Sequence, residues 1–380
     1  MPSRRGTPLR IERLAEALAQ RGHQVEFVTY HVVDDDSRLT LPVHRIFGRE
    51  IHRRTPVGPT LRKLLSYDPA LAALLWRLLA NNRFDVVYAH HFEGALCALP
   101  AARWRGVPVV YDAHTMLESE LPSYAPSALR GLTRVLGRWL DGVVPAWVNH
   151  SVTVTPDIRD RLIGFHRISP DDVTVVMNGV ESSLFSGAGT SGPGPDPNRL
   201  IYTGTLAAYQ DVDLLLEAFA LAVKQRPAMR LTMSVSSSFD AYGTKAERLG
   251  IRECIDVVPD SLADLPSRLA QSRIAVVPRM HCDGIPQKLL NYMAAGNACV
   301  ASAGSAKVIE HEVNGLVVPN GDVNAFAAAL VRLVDDPALA ARLADNARVF
   351  AQRHCRWELA AERIEAICES LVSRSAVSSA

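Results

Sequence analysis

Several features are scarce in this sequence, and each scarcity removes a class of protein. No apolar run approaches the roughly 18 residues that a bilayer-spanning helix needs, and the opening MPSRRGTPLRIERL carries no signal-peptide core. Charge of either sign is not in excess. Forty-one Lys and Arg oppose 40 Asp and Glu for a net charge of +1, so no global field argues for nucleic acid as a partner. The six cysteines, Cys97, Cys254, Cys282, Cys299, Cys355 and Cys368, are dispersed, with no CxxC pair. That pattern fits reduced cytoplasmic thiols better than a disulfide framework or a zinc site. What is plentiful is apolar residue: 48% of 380, with 21% charged, enough for two cores of ordinary size.

Short apolar runs alternate with helical patterns along the whole chain. QVEFVTYHV (24–32), DVVYAH (85–90), PVVYDAH (108–114) and SVTVT (151–155) read as strands in the first half. RLIYTG (199–204), RLTMSVS (230–236), CIDVV (254–258), IAVVPR (274–279) and ACVASA (298–303) read so in the second. LRIERLAEALAQRG (9–22) is a helix for which Gly22 is the expected C-cap. Near-continuous apolar strands separated by helices predict parallel sheets covered on both faces. The stretch SGAGTSGPGPDPN (186–198) suits neither a helix nor a strand interior, and is expected to be a linker. The predicted organisation is an α/β domain over 1–185, the linker, a second α/β domain over 199–355, and a C-terminal helix over 356–373. In such folds ligands sit beyond the carboxyl ends of the strands, so the loops there carry the chemistry.

One of those loops stands out. PRMHCDGIPQKLLNYMAAGNACVAS (278–302) reads as a strand end, a Gly/Pro loop, a helix start, and a small-residue turn into the next strand. Gly284 permits a close backbone turn, Ile285 follows it, and Pro286 suits a first helical position. The exposed amides of the helix start can receive a diphosphate. Lys288 on the first turn and Arg279 just past a strand are cations of the right kind. A solvated helix lysine and a proline stop signal account for the loop equally well when it is taken alone.

Taken in order, the motifs resemble a known family. NGV (178–180), YTGTLAAYQDVDLLLEAF (202–219), the loop above and VIEHEVNGLVVPNGD (308–322) recur at the spacings of the retaining GT-B glycosyltransferases of family 4. RGTPLRIERLAEALAQRGHQV and VPVVYDAHTMLESELPSY are similar to its N-terminal half, so the resemblance covers nearly the whole chain. It implies two Rossmann-like domains facing across a cleft, the N-terminal one for the acceptor and the C-terminal one for a nucleotide-sugar donor, with the C-terminal helix packing back toward the N-terminal domain. It implies sugar transfer from a UDP- or GDP-sugar to an unidentified, lipid-linked or glycan acceptor, with no metal and no further cofactor. The family opens with a strand that reaches a Gly-rich turn. Here Gly6 and Thr7 come almost at once, so the first strand is expected to be missing or the start misplaced.

The resemblance also assigns roles and shows departures. The family's two glutamates eight residues apart are replaced here by Asp283 and Asn291. Asp283 keeps the charge on a shorter arm, and Asn291 still reaches ribose hydroxyls without a carboxylate's strength. The arginine and lysine usual in the loop after Gly204 are replaced by Thr205 and Gln210, so Arg279 and Lys288 are expected to supply the positive charge. A subset with YTG…YQ and PxK patterns looks like this. His114 falls where the family places a histidine near the transferred sugar, although a core histidine is its plain structural reading. Asp112, His90, His91, Gly6 and Thr7 fall on the acceptor side, as do Glu118 and Glu120, which a solvated loop explains as well. No carboxylate pair for double displacement stands out, and the front-face mechanism usual for the family needs none. The resemblance places the protein in the cytoplasm, in cell-envelope or polysaccharide synthesis. The basic residues Arg45, Arg49, Arg53, Arg54, Arg62 and Lys63, and the amphipathic stretch 129–148, offer contacts to the inner face of an anionic membrane or simply a solvated surface. The substitutions at 205, 210 and 291 keep a catalytically silent nucleotide- or partner-binding relative as the alternative. An epimerase or phosphorylase is a third reading, and no pyridoxal-type lysine context supports the phosphorylase.

Overall fold

The computed structural model describes residues 6–30, 40–46, 58–60, 62–181, 185 and 194–378. The chain forms two compact units. Unit 1 holds the residues up to Asn178 together with those from Trp357 onward, and unit 2 runs from Gly179 to Arg356.

In unit 1, α1 (Thr7–Gln20) precedes a parallel pair, β1 (Phe27–Thr29) with β2 (Val43–Arg45). A π-helical turn at Lys63–Tyr67 leads into α2 (Asp68–Asn81). Then come β3 (Val87–His90), α3 (His91–Arg105), β4 (Val109–Ala113), α4 (Leu117–Tyr124), α5 (Arg130–Trp147), β5 (His150–Thr153), α6 (Pro156–His166) and β6 (Val173–Val175). Strands β3 to β6 form a parallel sheet in chain order. Every residue of β4 and of β5 is buried, as continuous apolar strands covered on both faces require. Leu14, Ala17, Val110, Val152 and Val176 pack with Trp357, Ala361 and Ile364 of α13 (Trp357–Ser378), so the end of the chain is part of this core.

Unit 2 has β7 (Asp196–Gly204), α7 (Val212–Gln225), β8 (Arg230–Val235), α8 (Asp240–Arg248), β9 (Ile255–Pro259), α9 (Leu265–Gln271), β10 (Ser272–Val277), α10 (Gln287–Ala295), β11 (Ala298–Ser302), β12 (Leu316–Val318), α11 (Val323–Asp335) and α12 (Pro337–His354). Its six parallel strands lie in the order β12-β11-β10-β7-β8-β9. That is the doubly wound Rossmann order, and it reverses between β7 and β10. The fold is GT-B, two Rossmann-like α/β units.

The sequence reading and the structure part in a few places. The chain changes unit at Asn178/Gly179 rather than near 185, because the Val180 amide donates to the Cys355 carbonyl (3.0 Å) and so ties that segment into unit 2. Residues 196–198 of the expected linker already belong to β7, and residues 186–193 lie outside the described residues. Helix α13 runs on to Ser378. Gly22 (φ +98) is the residue after the cap: Arg21 caps α1, the Gly22 amide donates to Ala19 O (3.0 Å) and the His23 amide to Leu18 O (3.2 Å), a Schellman closure. Strands β2, β6 and β12 have only three residues each, too short for an alternation to register.

Candidate active site

The order reversal in unit 2 puts the ends of β7 and β10 side by side, and the residues singled out in sequence gather there. Beyond β7, Gly204 (φ +122) leads into a single helical turn, Ala208–Gln210. Beyond β10 comes the loop from Pro278, which enters α10. Lys288 Nζ donates to Gln210 Oε1 (2.8 Å) and sits 4.0 Å from the Tyr202 ring centroid. A Cβ at residue 204 would stand 3.2 Å from Lys288 Nζ, so glycine is needed both for the left-handed backbone and for the room. The Arg279 guanidinium lies 4.9 Å over the ring of Tyr209 and its Nε donates to His281 O (2.6 Å). Both cations therefore attach to consecutive residues of one turn.

The loop carrying Arg279 is held from several directions. Met280 N donates to Asp211 Oδ2 (2.7 Å), and Asn320 Nδ2 donates to Met280 O (3.0 Å). Ser302 Oγ donates to Pro278 O (2.8 Å). Any side chain at Gly304 would collide with Met280 O, 1.7 Å from an added Cβ. Pro286 takes the cap position rather than the first helical one, with its carbonyl accepting the Leu289 amide (2.9 Å). Gln287 Nε2 donates to Gly179 O (3.0 Å), which brings the NGV motif to the same helix start. Ile285 is buried. Asp283 and Gly284 lie in the loop, where Cys282 Sγ donates to Gly284 O (3.1 Å), and Asn291 lies one turn beyond Lys288 on α10. Thr205 O accepts the Tyr202 hydroxyl (2.7 Å), while Thr205 Oγ1 is buried with no hydrogen-bond partner among the described residues.

Unit 1 gathers its own polar cluster at the carboxyl ends of β3 and β4. Asp112, fully buried, accepts Arg10 Nε at Oδ2 (2.8 Å), Arg10 Nη2 at Oδ1 (3.3 Å) and the Tyr88 hydroxyl at Oδ2 (2.8 Å). Arg10 Nη1 donates in turn to Asn178 Oδ1 (2.9 Å). His90 Nδ1 and His114 Nε2 are 3.1 Å apart, so one ring donates and the other accepts. His91 stacks on His114 with centroids 4.6 Å apart and holds a left-handed backbone, φ +60. Gly6 (φ +62) caps α1, Thr7 opens it, and Arg10 N donates to Gly6 O (3.2 Å), so the expected acceptor-side turn leads directly to Arg10.

The electrostatics follow from burial and one guanidinium. Burial alone would raise the Asp112 carboxyl, but Arg10, then His114 and His90, hold it well below the usual carboxylate range. Burial pushes His90 down to about 4 and His114 well below its usual value, with Asp112 opposing both shifts. The imidazoles are therefore neutral near pH 7, and the ring-to-ring hydrogen bond itself requires this of the accepting ring. His90, Asp112 and His114 lie close enough to be weighed as metal ligands. They fit a cation poorly, because both carboxylate oxygens already accept from Arg10 and a guanidinium beside a dication is repelled.

Sequence reasoning missed Arg10, Tyr88, Tyr202, Tyr209 and Asp211. Arg10 had a signal: it shares the buried face of α1 with Leu14 and Ala17, and a charge on such a face must be paired. Glu118 and Glu120, open on the sequence, have neighbours: Arg161 Nη2 donates to Glu118 (3.2 Å) and the Tyr124 hydroxyl to Glu120 (3.2 Å). Of the basic cluster, Arg49, Arg53 and Arg54 lie outside the described residues. Lys63 is half-buried and donates to Gly58 O (2.6 Å), and Arg45 donates to Tyr30 O (3.2 Å).

The chain thus carries a Rossmann switch point with two cations in one unit and a half-buried histidine pair in the other, and it can be set beside known proteins. Residues 5–184 match the model described as Glycosyltransferase Family 4, and residues 197–336 match Glycosyl transferases group 1. A D-inositol 3-phosphate glycosyltransferase of Saccharomonospora viridis is 27% identical over 376 residues, covering 92% of this chain and 85% of the relative. Among solved structures, the sucrose-phosphate synthase of Thermosynechococcus elongatus superposes with a TM-score of 0.77 at 17% identity, over 97% of this chain and 94% of that one. Anabaena HepE, solved in complex with UDP and glucose, gives 0.71 at 16% identity over 97% of each chain. The chain is a glycosyltransferase. Its N-terminal half is similar to glycosyltransferase family 4 and its C-terminal half to the glycosyl transferases of group 1.

Proposed function

We propose that the protein moves a sugar, with retention at the anomeric carbon, from a UDP- or GDP-sugar to a lipid-linked or glycan acceptor, working in the cytoplasm at the inner face of a membrane. The observation that carries this reading is the attachment of Lys288 and Arg279 to one turn beside Gly204, at the point where the strand order of unit 2 reverses. A diphosphate placed there meets the start of α10 and two cations, while Asp283 and Asn291 stand at hand for the sugar and the ribose.

In the reaction the bond between the anomeric carbon and the diphosphate oxygen breaks as the acceptor oxygen bonds the same face of that carbon. The acceptor's proton passes to the departing diphosphate oxygen. The protein's part is positioning and charge stabilisation. Lys288 and Arg279 offset the charge that develops on the leaving group. In unit 1, His114, neutral and hydrogen-bonded to His90, stands at the position where the family has a histidine near the transferred sugar. No metal enters this reading, because Asp112 is committed to Arg10.

Thermal melting with UDP, GDP and their sugars tests it. Stabilisation by one nucleotide, with transfer from the matching sugar, is expected. The acceptor panel includes D-inositol 3-phosphate, for which the Saccharomonospora relative is named. No shift with either nucleotide would refute the donor assignment, and tight binding without turnover on any acceptor would favour a silent relative.

A further inference from the structure

The exposed apolar side chains of unit 1 form a stripe. On α5, Leu132 is 68% exposed, Val135 67%, Leu136 47% and Trp139 55%. Their spacing of i, i+3, i+4 and i+7 sets all four on one face. The opposite face, with Gly137, Leu140, Asp141 and Val144, is buried. That burial fixes the helix's rotation. A Cβ at Gly137 would come within 2.3 Å of Leu117 O, and Asp141 accepts the amides of Leu117 (2.8 Å) and Glu118 (2.9 Å) at the start of α4. The apolar stripe therefore faces outward by construction. Beside it Phe165 of α6 is also exposed, with the Arg138 guanidinium 3.9 Å over its ring.

Charge decides what covers this face. Arg138, Arg134 and Arg130 are exposed and step round the helix from beside the stripe toward the buried face, Arg138 nearest to the stripe, and the only acid between residues 125 and 149 is Asp141, which is buried. The surface offered is apolar and cationic, with a tryptophan at its centre. That is the composition of a helix lying in the plane of a bilayer whose headgroups are anionic. Among the described residues no helix is long and apolar enough to cross a membrane, so contact through α5 would be from one side.

We propose that α5 is the membrane-docking element of this enzyme, with Leu132, Val135, Leu136 and Trp139 set into the headgroup–acyl boundary and the three arginines on lipid phosphates. The proposal rests on the reading of the protein as a peripheral enzyme and names the face that does the docking. Of the two surfaces the sequence offered, α5 has this construction, whereas Arg45 and Lys63 donate to backbone carbonyls.

Co-sedimentation of the full chain with vesicles tests the assignment. The wild type is expected to bind phosphatidylcholine vesicles that contain phosphatidylglycerol and to ignore phosphatidylcholine alone. The L132Q/W139Q variant is expected to lose about tenfold or more in vesicle affinity, and R134Q/R138Q to lose binding mainly at low salt. All four positions are exposed, so the melting temperature and its shift with nucleotide stay unchanged. Wild-type indifference to anionic vesicles, or unaltered binding by L132Q/W139Q, overturns the proposal. So does a self-association that L132Q/W139Q abolishes in the absence of vesicle binding, which assigns the face to a second copy. The nucleotide shift separates the two readings. A chain that responds to nucleotide but not to vesicles refutes the docking face alone, and the reverse result refutes the donor site alone.

Discussion

Charge is handled in opposite ways in the two units. In unit 1 a guanidinium and a carboxylate are sealed together, and each answers the other: Arg10 and Asp112 are 1% and 0% exposed in their side chains. In unit 2 the cations Lys288 and Arg279 are positioned by an amide oxygen, a backbone carbonyl and two tyrosine rings. The first arrangement spends its electrostatics on shape, fixing the histidines above it. The second holds its cations at the end of a strand through contacts that include dipoles and aromatic rings, which orient a cation.

Five measurements break or sharpen that contrast. Arg10→Met leaves Asp112 buried without its guanidinium, and is expected to cost about 3–5 kcal/mol of unfolding free energy by denaturant titration. A change near zero would mean that the pair is not sealed. Lys288→Ala is expected to lower kcat/KM by roughly 10²- to 10³-fold, about 3–4 kcal/mol of transition-state stabilisation, with little change in melting temperature. Should stability fall instead, the lysine would be structural like its counterpart in unit 1.

The third measurement is pH. His90 and His114 titrate well below their unfolded values, so between about 6.5 and 4 the unfolded chain binds protons that the folded one refuses. Stability from this source is whole above pH 6.5 and falls as pH drops, His90 alone accounting for about 3 kcal/mol at pH 4 and His114 adding to it. His90→Asn should flatten that slope. Asp141 acts in the other direction: burial, opposed by the Glu118 and Leu117 amides, raises it to about 6, so its contribution weakens folding as pH rises from 4 to 6. Gly204→Ala meets both the strained backbone and Lys288 Nζ, and about 1–2 kcal/mol of lost stability is expected, together with weaker nucleotide binding. Asp283→Asn is the smallest, less than about tenfold in kcat/KM, because one hydrogen-bonding partner is exchanged for another. Equal losses from Asp283→Asn and Lys288→Ala would undo the ranking.

Most of the strands were legible because they are buried on both faces and bounded by turn residues: RLIYTG and IAVVPR end at the loops that matter. The gathering of the expected donor-side residues was legible because spacing along one loop and one helix turn survives as spacing in space. Lys288 and Pro286 are close in the chain and close to the helix start. The partners that hold them were not legible, because they come from another strand: nothing local in YTGTLAAYQD says that Tyr209 will lie under Arg279 or that Asp211 will clasp Met280. Arg10 and Asp112 are 102 residues apart, and only the buried face of α1 hinted at the pairing. Pattern reveals what each element buries. It does not reveal which loop ends meet.

The bond from Val180 N to Cys355 O has a consequence for how this protein can be divided. It joins the second residue of unit 2 to the last but one, so that unit begins and ends at one spot, while the chain on either side of it belongs to unit 1. Unit 2 is thus topologically a cassette inserted into unit 1. Cutting the gene after residue 356 would damage the half of the protein encoded first, whose core includes Trp357, Ala361 and Ile364. Residues 179–356, expressed alone, should keep their strand order and their two cations.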